Sequence, residues 1–252
     1  MGVEPRKLLK RVRLRSQDVD PGFVAILLLA AAVAYWLKRF YSQASVEELR
    51  WILHPTALLV SAAAGEPFPF EAGYGYVSRA HGFVIAPACA GINFLIVSAC
   101  SLICALAGRW RTWRAKAAVL AGSFLVAYVW ALAANTVRIL IALAIQDSET
   151  ALFLSPDRLH RVEGVVVYLA FLLILHVAVE YTRPAKALTL RLVGLPLGVY
   201  LAVTILVPLL NGVHVDARFL EHAATTLIIG AVISSAPFML LAGHAACKKD
   251  PG

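Results

Sequence analysis

WILHPTALLVSAAA, Trp51–Ala64, is the stretch on which the fold turns. It is apolar but only 14 residues long, and His54-Pro55 interrupts it. A helix needs about 20 apolar residues to cross the hydrocarbon core, and runs of about 10–14 are more often re-entrant or interfacial. Six other runs approach full span length: Gly22–Leu37, Ile92–Gly108, Ala117–Ala134, Val162–Tyr181, Leu192–Leu210 and His222–Gly243. A second short run, Thr136–Ile145, follows directly on one of them.

The basic residues decide whether Trp51–Ala64 crosses. Arg6, Lys7, Lys10, Arg11, Arg13 and Arg15 mark the N-terminus as cytoplasmic. Arg109, Arg111, Arg114 and Lys116 mark a second inside loop, Arg183, Lys186 and Arg191 a third, and Lys248 and Lys249 an inside tail. The pattern closes with six full spans only if Trp51–Ala64 does not cross. If it crossed, every loop from Arg109 onward would invert. The acids Glu47, Glu66, Glu71, Asp147, Glu149, Asp157, Glu163, Asp216 and Glu221 then fall on the outer side. The expected fold is an all-α polytopic membrane bundle, six full spans plus short re-entrant or interfacial helices. Residues 1–21 form a cytoplasmic basic N-terminus, 22–247 one transmembrane domain and 248–252 a cytoplasmic tail. The first run reads as an uncleaved signal anchor, because Trp36, Lys38 and Arg39 follow it. Gly65–Ala86, with GEPFPFEAGYGY, reads as an interfacial loop or a substrate-contacting flap.

Composition agrees. The chain has 252 residues, 60% of them hydrophobic and 15% charged, against about a quarter charged in soluble domains. Its net charge of +8 sits in short loops between apolar runs, which records orientation and does not point to nucleic acid. The lipid bilayer is the expected surrounding, with no nucleic-acid partner.

In this topology three chemically useful side chains share the outer face: Cys89 in PACAGINF, Arg138 in ANTVRI and His160 in LHRVEG. Cys89 precedes an apolar helix whose N-terminus favours a thiolate. Ala88, Ala90 and Gly91 leave room beside the sulfur, and Asn93 is placed one turn on. Arg138 is the one charge in an apolar run, and such residues usually face a protein interior or wet cavity. Asn135 is on its helical face. His160 has the proton affinity for acid–base work, with Gly164 one turn on and Glu163 placed to orient the imidazole. Each residue also has a plainer reading: Cys89 as a small buried hydrophobe, Arg138 as a snorkelling cation, His160 as an interfacial side chain. HExxH spacing, a GxSxG elbow and paired intramembrane acids are missing from the sequence, which argues against metallo-, serine and glutamate-type proteases.

ACAGIN with Cys89, NTVR with Asn135 and Arg138, and LHRVEG with His160, in that order in an all-helical membrane chain, resemble the exosortase/archaeosortase family. The resemblance runs from Pro87 to Glu180. Better-known members have Ser where Ala90 stands. It implies a membrane cysteine transpeptidase of the cell inner membrane. Its partners would be membrane-anchored proteins with a C-terminal sorting signal made of a recognition motif, an apolar helix and a basic tail. It implies Cys89, Arg138 and His160 as catalytic residues, Asn93, Asn135, Glu163, Gly91 and Gly164 in support, and neither metal nor organic cofactor. The rival reading is a non-catalytic transporter or an assembly partner for surface polysaccharide export.

Overall fold

The structure, a computed structural model, describes residues 20–146, 156–180, 194–210, 214–217 and 219–232. Arg6 to Arg15, Asp147, Glu149, Arg183, Lys186, Arg191, Cys247, Lys248 and Lys249 lie outside the described residues, as does the expected tail at 248–252.

Inside a bilayer every peptide group must find its partner within the protein, so apolar chain folds as helix. Helix α1 is Pro21–Gln43. The Asp20 carboxylate caps it by accepting from the Gly22 amide at 2.9 Å, and Pro21 takes the first position, where its missing N–H goes unneeded. Helix α2, Arg50–Ala64, stops at Gly65, whose amide donates to the Ser61 carbonyl from a left-handed backbone. Strands β1 (Phe70–Glu71), β2 (Gly75–Ser78) and β3 (Phe83–Ile85) follow. A 3₁₀ turn, Pro87–Cys89, leads into α3, Ile92–Leu106, and a second turn, Ala107–Arg109, leads out of it. Then come α4 (Trp113–Gln146), α5 (Pro156–Glu180) and α6 (Leu195–Leu201). Helix α6 continues to Leu210 through a π-helical segment, Ala202–Leu206. Helix α7 is Phe219–Val232.

Among the described residues four helical segments, against the six expected, are long and apolar enough to cross a membrane: Pro21–Gln43, Pro87–Arg109, Trp113–Gln146 and Val162–Val179. The runs expected as the last two spans give Leu195–Leu209 and Phe219–Val232, which fall short of span length among the described residues. Trp51–Ala64 is a short helix, as its length implies. Thr136–Ile145, expected as a separate short segment, instead completes α4. That helix has 34 residues, about 50 Å of rise against about 30 Å of hydrocarbon. No Gly or Pro interrupts ALAANTVRIL, and the Asn135 side chain bonds outside its own helix instead of competing for the local backbone.

The all-α expectation fails at Phe70–Ile85. The loop expected there is a three-stranded antiparallel sheet, with Tyr76 opposite both Phe70 and Ile85. Glycine makes the sheet possible. A Cβ on Gly75, at φ +122°, would lie 2.4 Å from the Ile85 carbonyl oxygen. The sheet is tied down at two places: the Gly73 amide donates to Glu47, and Gln146 at the end of α4 donates to the His81 carbonyl. The Gly73 bond holds the Glu47 carboxyl below its usual range.

Helix α3 is buried on nearly every face and packs against α1, α4, α5 and α6. Helix α1 is pinned at both ends. At its start the Lys116 ammonium pairs with Asp20. Lys116, read from the sequence as a loop charge, is 1% exposed within α4, where an unpaired cation would be costly. Its hydrogen bond holds the Asp20 carboxyl below the usual range. At the other end Tyr41 Oη donates to the Pro87 carbonyl at 3.2 Å, and Lys38 Nζ to Asn93 Oδ1 at 2.5 Å. The starts of α1 and α4 therefore share one side of the bundle, and the Cys89 turn lies at the opposite end of α1.

Pro55 sits inside α2 without breaking it. Proline has no N–H for the carbonyl four residues back, which leaves that of Trp51 without its helical donor. The Tyr128 hydroxyl of α4 donates to that carbonyl at 2.7 Å, and the Trp51 and Tyr128 rings stack at 5.8 Å. The defect in one helix thus docks it on the next. Tyr128→Phe should cost about 1 kcal/mol, read as a lower Tm in detergent. In a Pro55→Ala background, where an amide again serves Trp51, the same change should cost clearly less.

Candidate active site

Cys89 ends the Pro87–Cys89 turn, with its amide donating to the Ala86 carbonyl at 2.8 Å. Its side chain is 6% exposed. Cys89, Cys100 and Cys104 are free thiols. Gly91 then adopts φ +68° and forms the N-cap of α3. This break corrects one expectation: Asn93 is not on a helical face continuous with Cys89, because α3 starts only at Ile92. Asn93 is exposed and held by Lys38.

The turn is held from α4. Asn135 Nδ2 donates to the Cys89 carbonyl. Asn135 Oδ1 accepts from Tyr168 Oη at 3.1 Å, and that hydroxyl accepts from Arg138 Nη1, also at 3.1 Å. A line of three hydrogen bonds thus joins the Cys89 backbone to the Arg138 guanidinium through Asn135 and Tyr168. The Tyr168 ring is fixed in turn, stacking on Phe94 with centroids 4.7 Å apart. The guanidinium lies 5.5 Å from the Tyr168 ring centre.

The expected glycines work as spacers. A Cβ on Gly91 would meet the Asn135 carboxamide at 3.3 Å, and one on Gly164 would meet Arg138 Nε at 3.2 Å. Arg138 and Asn135 are buried, as is Glu163 at 8% exposure. His160 lies in α5, one helical turn before Gly164 and on the same face of the helix. Its side chain lies outside the described residues.

A cavity of about 190 Å³ opens beside the turn. Ala88, Gly91, Asn93, Arg138, Gly164 and Tyr168 line it; Cys89, set deeper, does not. Tyr200, Thr204 and His222 add polar groups from α6 and α7. Tyr168, Tyr41 and Lys38 were missed from the sequence as site residues: Tyr168 is hidden in an apolar run, while Lys38 and Tyr41 sit in LKRFYSQ, read only as the flank of one. The available signal was Tyr168, a lone hydroxyl in VVVYLAF one turn after Gly164. Among the described residues no three His, Cys, Asp or Glu side chains gather closely enough to hold a metal ion.

Residues 70–177 match the family model for transmembrane exosortases (Exosortase_EpsH). The matched segment is under half of the chain and contains Cys89, Arg138 and His160. It begins at Phe70, before the Pro87 start of the sequence resemblance, and so takes in the sheet. No curated protein and no solved structure matches the chain significantly. With four span-length helices, the match identifies a multi-pass membrane protein similar to transmembrane exosortases over that segment.

Gly65 and Gly91 separate two costs of a side chain at positive φ. Both are left-handed, but a Cβ at Gly65 meets nothing within 4 Å. Gly65→Ala should therefore lose only the backbone term of about 1–2 kcal/mol. Gly91→Ala should lose more, since it also displaces Asn135. Thermal unfolding in detergent measures both, and equal losses would mean that Asn135 moves freely.

Proposed function

We propose that this chain is a membrane-embedded cysteine transpeptidase that cleaves C-terminal sorting signals of exported proteins. The observation that carries the reading is the hydrogen-bonded line from the Cys89 turn to Arg138, inside the segment similar to transmembrane exosortases. A transporter or an assembly partner for polysaccharide export has no use for a cysteine turn tied to a buried guanidinium.

The substrate enters laterally from the bilayer, placing its recognition motif at the cavity. Cys89 Sγ attacks the scissile carbonyl while His160 takes the thiol proton. Arg138 stabilises the oxyanion of the tetrahedral intermediate. Collapse breaks the C–N bond, and His160 returns the proton to the leaving amine, which departs with the apolar helix and basic tail. The thioester on Cys89 is resolved by an amine, a glycan-linked group or water. Glu163 orients His160, and Gly164 keeps α5 close to Arg138. No metal or organic cofactor enters these steps. The N-terminus is cytoplasmic in an inner membrane, and the site faces outward.

Cys89→Ala should abolish processing of a co-expressed protein carrying a motif–helix–basic tail, while the variant still accumulates. Arg138→Ala and His160→Ala should each lose about 100-fold or more. Normal processing by Cys89→Ala sinks the nucleophile assignment. Orientation has its own test. Tyr74, at the β1–β2 turn, is 69% exposed. In a chain lacking its native cysteines, Tyr74→Cys should react with a membrane-impermeant maleimide in sealed spheroplasts. Labelling only after permeabilisation would invert the topology.

A further inference from the structure

Catalytic roles for Cys89 and Arg138 leave the Tyr168 hydroxyl unexplained. It lies in an apolar stretch of α5, where a hydroxyl is costly unless it is bonded. It is bonded twice, accepting from Arg138 Nη1 and donating to Asn135 Oδ1. Its ring has no freedom to drift, because Phe94, two residues into the helix that starts beside Cys89, stacks against it. Asn135 completes the line by donating to the Cys89 carbonyl. The thiol-bearing turn and three helices thus contribute to one object: α3 gives Phe94, α4 Asn135 and Arg138, and α5 Tyr168.

We propose that Tyr168 is a positioning residue that sets the guanidinium of Arg138 against the Cys89 turn, and so makes the thiol reactive. A flexible arginine has many rotamers, and a charge stabilises a thiolate only from the right place. Tyr168 supplies a fixed acceptor for the guanidinium. Asn135 orients that acceptor by accepting the hydrogen bond its O–H donates. The packed ring on Phe94 ties both to the helix that follows the turn. Tyr168 acts through Arg138 and needs no contact with substrate.

This inference rests on the reading of Cys89 as nucleophile, but its test reads thiol chemistry and not substrate processing. In a full-length chain with Cys100, Cys104 and Cys247 replaced by Ala, Cys89 is the one thiol. Its alkylation by iodoacetamide is followed in detergent at pH 7.5. Tyr168→Phe keeps the ring and its stacking and removes only the hydroxyl. Alkylation should slow about tenfold, since the thiolate is the reactive form and a neighbouring cation favours it. Arg138→Ala should slow it at least as much. Adding Tyr168→Phe to Arg138→Ala should slow it no further, because Tyr168 acts through that guanidinium. Asn135→Ala, which removes the acceptor that orients the hydroxyl, approaches the line from its other end and should also slow the reaction. An unchanged rate in Tyr168→Phe overturns the proposal. So does a faster rate, the sign of a merely loosened and exposed thiol, or a further loss in the double variant. If Tyr168→Phe does not accumulate, a rate in Asn135→Ala at or above that of the parent overturns it equally. A failed nucleophile assignment appears elsewhere, as normal processing by Cys89→Ala, so the two failures are distinguishable.

Discussion

The Asn135 carboxamide donates to the carbonyl of Cys89 and accepts from the hydroxyl of Tyr168. The turn that carries Cys89 cannot satisfy all its own peptide groups as a helix does, and a buried carbonyl needs a partner from the protein. An amide has one donor side and one acceptor side, so holding the carbonyl with Nδ2 leaves Oδ1 pointing onward. That remaining valence is what brings Tyr168, and through it Arg138, to the turn. Gly91 follows from the same constraint. Any side chain there would press on the carboxamide, and the backbone is left-handed as well.

Much of this was legible. The short length of Trp51–Ala64 foretold a short helix, and the four described segments of span length lie where apolar runs of the right length stood. Asn135 was singled out from its spacing to Arg138, Gly91 from its place beside Cys89 and Gly164 from its spacing to His160; Asn135 bonds the Cys89 carbonyl, Gly91 approaches Asn135 and Gly164 approaches Arg138. Other features were hidden for physical reasons. Helix α4 runs through Asn135 because that side chain finds its partner on another element, which spacing alone cannot reveal. The sheet at Phe70–Ile85 depends on the close approach of Gly75 to Ile85, a tertiary contact. Lys116 looked like a loop charge because the sequence does not disclose that Asp20 lies beside it. Tyr168 is a single polar group in a hydrophobic run, where composition swamps the signal, and Lys38 and Tyr41 sit among the polar residues that close α1, where nothing marks them as site contacts.

The bundle distributes its polar contacts unevenly. One end of α1 is closed by the Asp20–Lys116 pair, and the other by Tyr41 on Pro87 and Lys38 on Asn93. Between them the contact is apolar, with Ile26, Ala30, Ile103 and Ala107 forming a small core of their own. The defect at Pro55 shows the same economy, since the carbonyl it releases becomes the anchor for Tyr128. In each case a group that would be costly if left alone in an apolar surrounding is what specifies how two helices meet.

The depth at which Cys89 is set has a chemical corollary. Oxidation of a thiol to sulfenic acid and beyond requires a peroxide to reach the sulfur, and susceptibility follows exposure as well as thiolate character. Among the described residues Cys89 is a free thiol, and it presents only 6% of its surface. Its burial is therefore a protection against inactivation. In the proposed reading, where Arg138 keeps the thiol ready to react, an exposed Cys89 would be a perishable group.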